Sequence, residues 1–165
     1  MNSNETPFAT ASIGLDIGGT KTLGVVLAHN GEILAQEKRP TPPSSEDIVE
    51  CAVTIFESLG DQVDSSFTVE ALGIGVAGLV DKSGRLHRAP NLADADGLEL
   101  QSSVEPLIDV PVYVDNDANC AAHAELIRGA ARNVKQALLV TLGTGIGGAV
   151  ILDGTVVRGA EGMAG

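Results

Sequence analysis

Strand-length apolar runs joined by glycine turns recur along this chain, and that recurrence restricts the fold more than any other feature. Ser12–Ile17 and Thr22–Ala28 flank Gly18-Gly19-Thr20-Lys21, and Asn30-Gly31 then leads into Glu32–Lys38. Asn-Gly supplies the two positive-φ residues that a tight hairpin turn needs, so the chain opens as three antiparallel strands. Gln136–Leu142 and Gly147–Leu152 repeat the device around a second glycine cluster, and Asp153-Gly154 turns into Thr155–Val157.

Between these hairpins the pattern changes to helices and buried strands. Arg39–Pro43 carries three prolines and interrupts the strand pattern. Ser44 then reads as a helix N-cap, with Ile48, Val49, Ala52, Ile55, Phe56 and Leu59 at helical spacing and Gly60 closing the element. Val69–Val76 is a continuous apolar run suited to a strand covered on both faces. Asp81–Gly84 reads as a turn, Arg88–Gly97 as a loop, and Ser102–Leu107 as a short helix. Pro111–Val114 reads as another buried strand, Asp115–Asn119 as an interruption, and Ala118–Ala131 as a helix. The order βββ-α-β-α-β-α followed by a hairpin predicts an α/β fold with a mixed sheet and flanking helices.

Charge removes several function classes. The 10 Lys and Arg stand against 22 Asp and Glu, a net charge of −12, with three Phe and one Tyr to stack on bases. A chain so acidic repels phosphate backbones, so no nucleic-acid partner is expected. No apolar stretch reaches membrane-spanning length, and MNSNETPFATAS lacks a basic start followed by an apolar run. No membrane partner is expected, and the expected location is cytoplasmic. Cys51 and Cys120 fit no zinc or thioredoxin spacing and read as free thiols. His29, His87 and His123 share no metal-site spacing, and Arg128 and Arg132 read as a solvated face.

Two stretches match G-x-G-x-x-G, at Gly73, Gly75, Gly78 and at Gly143, Gly145, Gly148. Dinucleotide binding needs a helix directly after the motif, and neither match has one. Gly14, Gly19 and Lys21 approach a P-loop, but Thr20 displaces the lysine and a strand follows. What remains is a glycine-tipped hairpin, whose backbone N–H groups can approach an anion because no Cβ blocks it. Asp16-Ile17-Gly18-Gly19-Thr20-Lys21 has this form and adds a carboxylate for hydrated Mg²⁺; the cluster from Gly143 to Gly148 is a second instance.

DIGGTK at 16–21, GIGVAGLVD at 73–81, APNL at 89–92, VDNDAN at 114–119 and LGTGIGGAVILDG at 142–154 together resemble the ROK family of sugar kinases and repressors. Each motif is weak alone, but five in register are specific and cover the chain after its first residues. The resemblance implies the actin-like ATPase (RNase H-like) fold, two α/β lobes around a cleft. It divides the chain into a polar tail at 1–11, an N-terminal lobe at 12–118, and the start of a truncated C-terminal lobe at 119–165.

The resemblance also implies roles. Asp117 looks like the base that deprotonates the sugar hydroxyl, and it follows a buried strand at a helix start, where a carboxylate stays ionised. Asn91, Asn116 and Gly78 join it as expected sugar contacts, and Asp115 is an alternative helix cap that leaves Asp117 free. Asp16, Gly18, Gly19, Thr20, Lys21, Gly143, Thr144 and Gly145 are the expected nucleotide contacts, with Asp16 facing Mg²⁺ through water. Glu161 lies in a glycine-rich loop near the implied sugar site.

ATP and Mg²⁺ are thus the implied cofactors, a hexose the partner, and a homodimer the implied assembly of the full-length protein. Structural zinc is expected only downstream of Gly165, where the family's Glu-Ile-Gly-His sugar contacts also belong. The implied activity is phosphorylation of a hexose, glucose first, by a glucokinase-like enzyme. After APNL the chain continues Ala93-Asp94-Ala95-Asp96-Gly97 in place of the Pro-Gly-Trp of many glucose kinases. N-acetylmannosamine, N-acetylglucosamine or fructose are the alternative substrates, and a sugar-sensing regulator without turnover is the alternative class. Residues 1–11 are too few for the helix-turn-helix of repressor members.

Overall fold

The computed structural model describes residues 9–143 and 145–164. Strands β1 (Ala9–Ile17), β2 (Lys21–Ala28) and β3 (Ile33–Pro40) form the expected antiparallel opening, followed by helix α1 (Ser45–Asp61) and strand β4 (Phe67–Val76). A small hairpin, β5 (Leu79–Val80) and β6 (Leu86–Arg88), precedes the short helix α2 (Leu100–Val104), whose end tightens into a 3₁₀ turn at Glu105–Leu107. Strand β7 (Val112–Asn116) runs straight into helix α3 (Asp117–Arg128), and β8 (Gln136–Leu142), β9 (Ile146–Leu152) and β10 (Thr155–Val156) complete the chain.

Five strands make one mixed sheet in the order β3-β2-β1-β4-β7, parallel from β1 through β7 and antiparallel from β1 to β3. Ala9, Thr10 and Ala11, expected in the tail, belong to β1 because they pair with Phe67, Thr68 and Val69 of β4. Pro40 ends β3, an edge strand where a missing N–H costs no ladder bond. Gly73 and Gly75 lie within β4 and Gly148 within β9, so neither glycine match opens a helix.

Period-two alternation puts Ile13, Leu15 and Ile17 of β1 on the same face as Leu72, Ile74 and Val76 of β4, and α1 covers that face. Ser44 caps α1 by accepting the Asp47 amide at 3.1 Å, and Ile48, Ala52, Ile55 and Leu59 are buried. Each large apolar side chain buried in this way stabilises the fold by about 1.5–3 kcal/mol. The opposite face receives α3. There Gly75 lets the helix pack close, since a Cβ would come within 3.3 Å of Cys120 Sγ and 3.6 Å of the Asp117 Cα.

The second sheet, β10-β9-β8, is antiparallel and packs on the far side of α3 through Ala122, Ala131, Ala149, Ile151 and Val156. Its other face leaves Leu138, Val140, Leu142, Ile146 and Leu152 exposed. The expected boundary at 118/119 falls in the first turn of α3, which serves both sheets. Arg128 is exposed, as expected, and also donates to the carbonyls of His29 at 2.7 Å and Asn30 at 2.8 Å. The turn after β2 directs those carbonyls outward, toward the end of α3.

Candidate active site

The parallel strands β1, β4 and β7 end side by side, with Asp16, Gly75 and Asp115 at one level of the sheet and Ile17, Val76 and Asn116 at the next. The carboxyl ends of parallel strands are where open α/β sheets bind ligands, because the connecting loops splay apart there. A cleft of about 540 Å³ opens at this edge. It is lined by Asp16, Gly18 and Gly19 from the first hairpin, Gly78 after β4, Asn91, Asn116 and Asp117 at the start of α3, and Gly143 and Gly145 from the second hairpin. Thr20 and Lys21 stay exposed at the hairpin tip outside the lining, and Thr144 lies outside the described residues.

Local chemistry fixes Asp117. Asn116, not Asp115, is the N-cap of α3, and its Oδ1 accepts the amides of Ala118 at 2.9 Å and Asn119 at 3.1 Å. Its Nδ2 donates to the Gly78 carbonyl and to Asp117 Oδ1, both at 3.0 Å. Two acceptor sites and two hydrogens exhaust a carboxamide, so Asn116 anchors Asp117 and keeps nothing for a ligand in this conformation. Asp117 Oδ1 also accepts the Ala118 amide at 2.9 Å, which leaves Oδ2 with no partner among the described residues. Asp115 is no interruption: its Oδ1 accepts the Asn116 amide at 2.8 Å and Asn119 Nδ2 at 3.1 Å, so strand passes to helix without a break.

The cleft is acidic at its centre. Asp16 stands exposed at the sheet edge, and its partial burial raises its pKa; the Asp117 carboxylate adds to the rise and Lys21 opposes it. Two facing carboxylates favour a cation between them or on their shared side. Among the described residues no three metal-ligating side chains cluster. That donor set fits Mg²⁺, which keeps most of its waters and takes one or two carboxylates plus phosphate oxygens. It does not fit a structural zinc site.

Gly19 and Gly143 differ in why they are glycine. A Cβ on Gly19 would lie 2.5 Å from the Asn91 carbonyl oxygen, so the hairpin tip and the Asn91 loop touch backbone to backbone. Among the described residues, a Cβ on Gly143 would meet nothing within 4 Å. The chain itself does not require a glycine there, whereas a ligand approaching the backbone would.

Several lining residues escaped the sequence reading. Arg88 is the one basic residue among those that line the cleft, and Thr141 and Met163 join it. Asn119 is 2% exposed; its Nδ2 goes to Asp115, and its Oδ1 is buried without a donor. The only available signal was its place in VDNDAN. Cys120 is a half-buried free thiol pushed up to about 11, by burial first and then by Asp115, so it stays protonated and inert.

Comparison with known proteins accords with this geometry. The ROK family pattern matches residues 12–165. The chain belongs to the ROK family. It is 38% identical over 154 residues to a glucokinase of Streptomyces coelicolor, covering 93% of this chain and 47% of that protein. It is 31% identical to the xylose repressor of Bacillus subtilis, covering 93% of this chain and 40% of the repressor. Among solved structures, a ROK family glucokinase from Streptomyces griseus in complex with glucose and AMPPNP superposes with a TM-score of 0.85 at 39% identity, covering 93% of this chain and 48% of that one. The fold is therefore the actin-like ATPase fold of ROK sugar kinases, and the chain spans about half the length of these relatives.

Proposed function

We propose that this chain supplies the catalytic cleft of an ATP-dependent hexose kinase, with glucose as the first expected substrate. The observation that carries the reading is Asp117, with Oδ1 anchored twice and Oδ2 open, in a cleft bounded by two glycine hairpins. Asp117 Oδ2 takes the proton from a sugar hydroxyl as that oxygen attacks the γ-phosphorus, the bond from phosphorus to the β–γ bridging oxygen breaks and ADP leaves. Phosphoryl transfer asks mainly for positioning and charge neutralisation, and a rigid base contributes about 10²–10⁴ in rate. The Gly18 and Gly143 amides are taken by the carbonyls of Lys21 and Gly145, so the amides of Gly19 and Gly145, which have no partner among the described residues, are the ones that hold phosphate oxygens. Asp16 would hold hydrated Mg²⁺, which would offset phosphate charge. Asn91, exposed on the cleft wall, contacts the sugar, while Asn116 acts through Asp117.

The glucokinase relatives and the AMPPNP-bound neighbour support ATP as donor. Likeness to the xylose repressor keeps a sugar sensor as the second reading. The retained pair of Asp16 and Asp117 favours the enzyme, since sensing requires no base. The chain spans about half of its relatives, so we assign turnover to the full-length protein and propose for it a homodimer and a cytoplasmic location. A coupled assay of that protein with ATP, Mg²⁺ and a panel of glucose, fructose, N-acetylglucosamine and N-acetylmannosamine tests the reading. Hexose-dependent ADP release is expected. Sugar binding without turnover on every member would establish the sensor instead.

A further inference from the structure

Residues 158–164 form a strap whose end, Met163 and Ala164, lines the cleft. The strap closes on itself where the Ala164 amide donates to the Arg158 carbonyl at 3.1 Å. Its middle is fastened to the turn between β5 and β6 by the Lys82 amide donating to the Glu161 carbonyl at 3.3 Å. Its start is held by a side chain. Arg158 Nη2 lies 2.5 Å from Asp115 Oδ2 and 3.3 Å from His123 Nε2. The other Asp115 oxygen holds the Asn116 amide and Asn119 Nδ2, the two residues that bracket Asp117. One carboxylate thus joins the strap to the first turn that carries Asp117.

Within this pair the carboxylate is the buried partner, while the Arg158 side chain is 41% exposed. The Asp115 side chain is only 13% exposed, so removing its cation strands a carboxylate in a largely dry site beside Asp117. Arg85 and Glu99 form a comparable pair at 3.1 Å, but both are about half exposed and contribute little.

We infer that Arg158 is a positioning residue: through Asp115 it sets the cleft wall formed by Met163 and Ala164 against Asp117. The inference rests on the hexose-kinase reading for its kinetic consequence, and on the geometry alone for its structural one. In the full-length protein, Arg158→Met is expected to raise the hexose KM about tenfold while the ATP KM stays within about twofold, because wall and base move relative to each other. Hydrogen exchange is expected to rise at 158–164 and 116–119 and nowhere else. Arg158→Lys, which still reaches Asp115 with one charge, is expected to recover most of both, and Arg85→Met to show neither. Asp115→Asn, which keeps the shape of the site, is expected to reproduce the exchange change. Unchanged exchange at 158–164 in both Arg158→Met and Asp115→Asn would overturn the inference, as would equal effects from Arg85→Met. A wild-type protein that turns over no hexose would remove the kinase reading, and the exchange pattern would still decide the role of Arg158.

Discussion

Asp16 and Asp117 face one cleft, and their mutual repulsion is measurable at single residues. Burial is the larger cause of the raised Asp16 pKa and the Asp117 charge the smaller. Asp117→Asn is therefore expected to lower the Asp16 pKa without returning it to the ordinary aspartate value, as a carboxyl NMR titration can follow. A raised acid binds its proton more tightly in the native state, so native stability falls as pH rises from the ordinary value through the raised one. Asp16→Asn removes that loss. Its Tm should exceed wild type at pH 7 and match it below about pH 3, where both forms are neutral. A lower Tm at pH 7 would show that Asp16 is stabilised by partners that the cleft geometry lacks. Gly143 gives a cleaner separation of fold from ligand. Open space around its missing Cβ means that Gly143→Ala leaves Tm unchanged, whereas backbone approach to phosphate means that the ATP KM rises several-fold. An unaltered ATP KM would remove this turn from the nucleotide site.

At the scale of elements, what was legible in the sequence was what local chemistry decides. Alternating apolar runs gave the hairpins, and Ser44 gave the start of α1 because a hydroxyl three residues before Asp47 can reach its amide. The hairpin of Leu79–Val80 and Leu86–Arg88 was missed, since strands of two and three residues carry no periodicity. The strand-to-helix passage at Asp115–Asn116 read as a break because clustered polar residues usually mark loops. Here Asp115 Oδ1 and Asn116 Oδ1 each find backbone or side-chain donors within four residues. The cap identity follows from those bonds and makes a test. Asn116→Ala should cost about 1 kcal/mol of stability by loss of the cap and should lower kcat by freeing Asp117. A stability loss with kcat intact would show that Asp117 is held by the Ala118 amide alone.

For the whole molecule, the contacts that assemble the cleft join residues far apart in the chain. Arg128 crosses from α3 to the carbonyls of His29 and Asn30, 99 and 98 residues away, and no sequence pattern signals it. Asp16 and Asp117 meet because β1 and β7 flank β4 in parallel, which the order of elements suggested but did not prove. The sheet of β8–β10 leaves an apolar face open, and the chain spans about half of its relatives. Activity is accordingly sought in the full-length protein, where the role of Asp117 can be tested most directly by steady-state kinetics and calorimetry on Asp117→Asn. The account predicts a kcat reduced by about 10²–10⁴ with glucose still bound at near wild-type affinity. A variant that keeps wild-type kcat would contradict it.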